Sequence, residues 1–188
     1  ENCTDNDLYL KAATSLHKLQ PTSQSAYFLY RLNASRGNVD EALSYISEAL
    51  AYTDLETETA ADYNYEAAAF CVKNGRNPQA ITCAEKAKEL SSSYAGKVYF
   101  LIGTIWGATS CGGDEISRRA PYWVAVDYME RAKAADASLA EDCNRMISQY
   151  RVYYPQTAEA FMYNLTDGQS YTVSCGGMRA TTTVRTQK

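Results

Sequence analysis

The sequence predicts an all-α stack of helix pairs that ends in a β-hairpin, and three observations carry the prediction. The first is a repeat. Residues 37–50, GNVDEALSYISEAL, return in weaker form at 75–90, GRNPQAITCAEKAKEL, and at 122–135, YWVAVDYMERAKAA. Each copy holds two small residues seven places apart: Ala42 and Ala49, Ala80 and Ala87, Ala125 and Ala132. Small side chains at that spacing share one helical face and let a second helix approach closely. The second observation is the punctuation of apolar helical stretches by glycine and proline at short intervals. The third is a change of period after residue 168, where β-branched residues alternate around Gly176-Gly177.

In chain order, residues 7–19 (DLYLKAATSLHKL) read as a helix with an acidic start and a stop before Pro21. With no helix ahead of it, this element stands as the second half of a pair. Residues 23–36 follow, with Ala26, Phe28, Leu29 and Leu32 on the apolar side and a stop at Gly37. A helix over 39–52 completes the first full pair. The second pair covers 57–74 and 77–90, with Pro78 in a first turn where its missing N–H costs nothing.

The third pair opens near Ser93, and its second helix is expected near Pro121, again a helix-start proline. The intervening SCGGDEISRR, residues 110–119, reads as an insertion, and insertions into repeats map to surface loops. An eighth helix is expected over 139–154 and a shorter ninth over 156–165. The final stretch, QSYTVSC-GG-MRATTTVR, has the two-residue glycine link of a tight hairpin. An isolated hairpin is marginal in water. Tyr171, Val173, Met178 or Val184 must therefore rest on a helical surface, a partner chain or another domain. The expected organisation is a helical repeat domain, 1–168, and a hairpin tail, 169–188.

The composition is that of a globular protein, with 46% apolar and 21% charged residues. A net charge of -4 argues against nucleic acid as a partner, because phosphate binding relies on a basic surface. No run of eighteen apolar residues is present, so no membrane span is expected. The first residue is Glu1, which suggests a processed chain whose leader or preceding domain has been removed. The six cysteines form no CxxC pair and the only histidine is His17, so no metal site and no cofactor is expected. The cysteines read either as disulfides of an exported protein or as buried apolar thiols, and composition leaves both open.

The repeat can be read residue by residue. The first full unit has its turn glycine at Gly37 and small residues at Ala42 and Ala49, with Ile46 between them. The second has Gly75, Ala80 and Ala87, with Ala84 in the large slot. The third has Tyr99, Ile102, Gly103 and Trp106 in its first helix and Ala125, Met129 and Ala132 in its second. Three such units in register resemble the tetratricopeptide repeat (TPR) family, over roughly residues 23–137. Tyr30 and Ala68 depart from the pattern, standing where the family has a glycine inside the first helix. The resemblance implies a TPR-like superhelix of about three helix–turn–helix pairs plus extra helices. It also implies a concave groove that holds a peptide or a partner's helix, and no catalytic role.

On the register of that family the groove positions would be Gln24, Tyr27, Arg31 and Ala34, then Asp62, Tyr65, Ala69 and Val72, then Lys97, Phe100 and Thr104, with Tyr27, Arg31, Tyr65, Lys97 and Phe100 as the binding side chains. Tyr and Arg suit such a role because they bring large contact area with a polar tip. The same side chains could instead only pack on neighbouring helices. The carboxylate-binding set of Lys, Asn and Arg found in some members is not reproduced, so peptide C-termini are not the favoured ligand. Residues 154–185 are also similar to the tail of exported TPR proteins of the Bacteroidetes. That likeness implies a periplasmic or outer-surface bacterial location and a longer parent chain.

Cys-Gly-Gly occurs twice, at 111–113 and 175–177. If the hairpin folds back over the third pair, Cys111 and Cys175 could bond and pin it there; the sharper alternative is a reactive thiol with Arg118 and Arg119 beside it. Asp114, Glu115, Asp127 and Glu130 read as solvated charge rather than an acid–base pair. His17 has no evident Asp or Ser partner, and no nucleotide, zinc-protease or nucleophile-elbow motif is present. The expected function is a protein-interaction module rather than an enzyme, with oligomeric state open. The alternatives are assembly through the unpaired strand edges of the hairpin and, more remotely, a thiol-dependent enzyme domain.

Overall fold

The computed structural model describes residues 7–187, so Cys3 and the Asn-x-Thr triplet at Asn2 lie outside the described residues. The helices are α1 (Asp7–Leu19), α2 (Ser23–Ser35), α3 (Val39–Leu50), α4 (Thr57–Lys73), α5 (Asn77–Leu90), α6 (Ala95–Ala108), α7 (Glu115–Ala135), α8 (Ala140–Arg151) and α9 (Thr157–Met162). Two strands follow, β1 (Ser170–Cys175) and β2 (Met178–Thr183). The fold is the TPR-like stack with a terminal antiparallel hairpin.

Local chemistry sets the helix ends. Thr22 caps α2 in a reciprocal box with Ser25, each side chain bonding the other's backbone N–H. The first two full pairs turn in the same way. Asn38 N–H reaches Asn33 O at 3.0 Å and Arg76 N–H reaches Cys71 O at 2.9 Å, each closing the six-residue loop of a glycine-terminated helix. The alanines of the repeat are where the helices touch: Ala42, Ala49, Ala80, Ala87, Ala125 and Ala132 are fully buried. In the third pair, Gly103 lets α6 approach α7, since a Cβ there would stand 3.2 Å from the Ala125 carbonyl oxygen.

The structure corrects the expected insertion. The second half of residues 110–119 is helix, not loop: α7 begins at Glu115, with the Asp114 carboxylate accepting from Ser117 N–H at 2.7 Å. Pro121 is therefore not a helix-start residue but stands inside α7. The hydrogen bond it forgoes is offset by burial, since Ile116, Ala120 and Pro121 are all in the interior. Residues 139–154 also begin differently from expectation. Ala137–Leu139 is a single 3₁₀ turn, started by Asp136 accepting from Ser138 N–H, and α8 follows it.

The hairpin has Cys175 opposite Met178 and Ser170 opposite Thr183. Gly176 and Gly177 take φ of +58° and +75°, the pair of left-handed values that a two-residue turn of this twist needs. Of the three supports the sequence allowed, the hairpin rests on a helix. Val173, Met178 and Val184 join the core formed by α4–α8, and Tyr171 meets the Trp123 ring edge-on at 5.5 Å. Arg185 donates to Trp123 O at 3.0 Å and pairs with Asp127, which also accepts from the Thr182 hydroxyl at 2.5 Å. A Cys111–Cys175 disulfide joins the hairpin turn to the α6–α7 link, with the Cα atoms 5.6 Å apart.

Candidate functional site

The first helices of the pairs, α2, α4 and α6, carry a row of aromatic and charged side chains that crosses from one helix to the next. On α2, Tyr27 stacks face to face on Tyr63 of α4 at 3.9 Å. The Tyr27 hydroxyl donates to Glu66, and the same carboxylate holds the Arg31 guanidinium at 3.6 Å. On the other side of α4, Tyr65 lies 5.2 Å from Tyr94 at the start of α6, and the Tyr94 hydroxyl donates to Asp62. Lys97 sets its ammonium 5.5 Å from the Tyr94 ring centre. Asp62 and Glu66 are one helical turn apart on one face of α4, where Asp62 accepts from Tyr94 ahead of α6 and Glu66 from Tyr27 of α2.

Electrostatics keeps these tyrosines protonated. The bond to Asp62, then burial, pushes the Tyr94 hydroxyl up to about 12. Burial raises Tyr65, and burial followed by the Glu66 bond raises Tyr27. They act as donors and as flat apolar surfaces, not as proton relays.

Of the residues named from sequence, Tyr27 and Arg31 meet through Glu66, and Tyr65 and Lys97 meet through Tyr94. Arg31 and Lys97 are exposed, Tyr27 and Tyr65 half-buried. Phe100, like Tyr65, is half-buried and packs against the core. Sequence reasoning missed Tyr63, Glu66 and Tyr94. Glu66 could have been found from its position four residues after Asp62, whereas Tyr94 precedes the helix in a 3₁₀ turn and had no periodic signal.

The other candidates resolve differently. Glu115 pairs with Arg118 at 2.7 Å and Arg119 at 2.5 Å, and those bonds hold its carboxyl below the usual range. With Cys111 and Cys175 bonded to each other, neither is available as a thiol nucleophile. Among the described residues no group of three or more His, Cys, Asp or Glu side chains is placed to hold a metal ion.

His17 does have partners that the sequence did not reveal. It is buried, with Nδ1 2.7 Å from Ser25 Oγ and Nε2 2.9 Å from Glu48 Oε1. The connectivity is that of a Ser-His-acid triad, but Ser25 Oγ also accepts from Thr22 N–H and from the Thr22 hydroxyl, each at 3.0 Å. Its lone pairs are committed to capping α2, which leaves none for attack. The arrangement ties α1, α2 and α3 together.

No protein-family model matches the chain, and no curated protein matches it. Solved structures do. One crystal structure of MamA, a TPR-containing protein, is similar with a TM-score of 0.52 and 14% identity over 77% of this chain and 81% of that one. A second MamA structure gives 0.51 and 14% over 77% and 76%. At that identity the likeness is one of fold.

Proposed function

We propose that the protein is an interaction scaffold that receives an extended peptide or a partner's helix along the row on α2, α4 and α6. The observation that carries this reading is the continuity of the row from Arg31 to Lys97 across three helices. Tyrosines braced at their hydroxyls lose little further freedom on binding, so their exposed faces bind at low entropic cost. Arg31 and Lys97 supply exposed cationic ends with the carboxylates of Asp62 and Glu66 between them. A partner that suits this pattern has acidic ends and a central polar or basic residue.

We also place the protein outside the bacterial cytoplasm, in the periplasm or on the outer surface. The Cys111–Cys175 bond supports this reading, because disulfides persist in oxidising compartments. The likeness of residues 154–185 to exported Bacteroidetes TPR proteins points the same way.

Panning a displayed library of extended peptides tests the binding surface. Enriched peptides are expected to lose affinity about tenfold or more when Arg31→Ala and Lys97→Ala are combined, as for anchors whose removal costs over 1 kcal/mol. Both side chains are exposed, so the helical circular dichroism should not change. Affinity that survives this change but falls with Arg179→Ala and Thr181→Ala on the hairpin would move the binding surface to the strands.

A further inference from the structure

Two thiols outside the surface described above face one another across the middle helix pair. Cys71 lies on α4 and is 1% exposed, while Cys83 on α5 is half-buried, and both line one open cavity of about 270 Å³. Leu43, Ile46 and Leu50 of α3 form its apolar wall. The two thiols are close enough that each is the largest influence on the other's ionisation. The third free cysteine of the described residues, Cys143, is fully buried.

The surroundings divide the labour between the pair. The neighbouring Cys71 thiol, and secondarily the Lys86 charge, favour the thiolate at Cys83 and lower it from the ordinary thiol value against the opposing effect of burial. The Cys83 thiol and burial together push Cys71 up. Burial alone raises Cys143. Cys83 is thus the more open thiol of the cavity and Cys71 the shielded one.

We propose that Cys83 and Cys71 form a thiol–disulfide exchange site that takes low-molecular-weight disulfides, with Cys83 as the attacking and Cys71 as the resolving thiol. With cystine, the Cys83 thiolate attacks one sulfur, the cystine S–S bond breaks, and one cysteine leaves as a thiolate that takes a proton from water. The Cys71 thiol then gives its proton to solvent and attacks Cys83 Sγ. A Cys71–Cys83 bond forms and the second cysteine leaves. The protein loses two electrons and cystine gains them. The product joins α4 to α5 in the pair that carries Tyr63, Tyr65 and Glu66.

The test exposes the folded protein to cystine near neutral pH, followed by alkylation and non-reducing mass mapping, with Cys3 replaced by Ser. The wild-type thiol pair is expected to convert to a Cys71–Cys83 bridge while Cys143 stays free. Cys71→Ala, a small side chain among the buried alanines of α4, should accumulate one cysteinyl group on Cys83. Cys83→Ala should leave Cys71 unmodified. A bridge present before treatment should open with cysteine and re-form with cystine, and one that resists cysteine would overturn the assignment. Alkylation of Cys83 no faster than that of Cys143, in both the wild type and Cys71→Ala, would overturn it, as would a cysteinyl group on Cys83 that Cys71 never displaces.

Discussion

At the scale of single residues, space and hydrogen-bond capacity decide more than residue type. Gly96 shows the first. A Cβ added there would stand 2.5 Å from the Asp136 Cβ, an atom fixed to the backbone of the turn that precedes α8. Gly96→Ala should therefore destabilise the fold by about 1–3 kcal/mol through overpacking, seen as a lower urea midpoint with an unchanged slope. Ser25 shows the second. Its hydroxyl sits beside a histidine that itself meets a carboxylate, yet two bonds from Thr22 make it a cap. Residue identity alone supports a nucleophile; the count of occupied lone pairs does not.

At the scale of elements, the start of α7 shows how local electrostatics rebuilt what the sequence presented as a loop. Asp114 accepts the Ser117 N–H, and Glu115 is held by Arg118 and Arg119 one turn on. Bonds to Ser117 and to the two arginines hold both carboxyls below their ordinary values. The bond to Ser138 does the same for Asp136, ahead of α8. Groups with a depressed folded pKa stabilise above their unfolded value and lose that contribution as pH falls through the folded one. Stability should thus decline below about pH 4, the ordinary carboxylate range. Asp114→Asn with Glu115→Gln, which keeps a side-chain cap, should flatten that decline in urea midpoints measured from about pH 5 to 2.5. An unchanged slope would mean that other carboxylates carry the acid response.

At the scale of the whole molecule, the hairpin is tied to the third helix pair by three independent means. These are the buried Val173, Met178 and Val184, the Arg185–Asp127 pair, and the Cys111–Cys175 bond across 64 residues of chain. Closing a loop of that length stabilises by about 3–5 kcal/mol on the chain-entropy argument. Cys111→Ser with Cys175→Ser should lower the melting temperature, while limited proteolysis still spares 170–187 because the apolar and ionic anchors remain. Rapid cutting within the hairpin would mean that the disulfide alone holds it.

The stack of helix pairs is legible in the sequence because it rests on short-range rules. Alanines seven apart, turn glycines at Gly37 and Gly75, and Gly176-Gly177 each act within a few residues, and each stands where the pattern put it. The same short range explains the failures. Pro121 signals a helix start locally, but the burial of Ile116, Ala120 and Pro121 against the rest of the core extends α7 two turns ahead of it. The row on α2, α4 and α6 was half legible: the register of the TPR resemblance named Tyr27, Arg31, Tyr65 and Lys97. Tyr63, Glu66 and Tyr94 emerged only once neighbouring helices set the distances between them. The sequence by itself determined the elements and their pairing, since helix caps, turns and small-residue faces are local. Tertiary structure alone decided which side chains meet across pairs, including His17 with Ser25 and Glu48, because those contacts depend on how far each pair is rotated on the next.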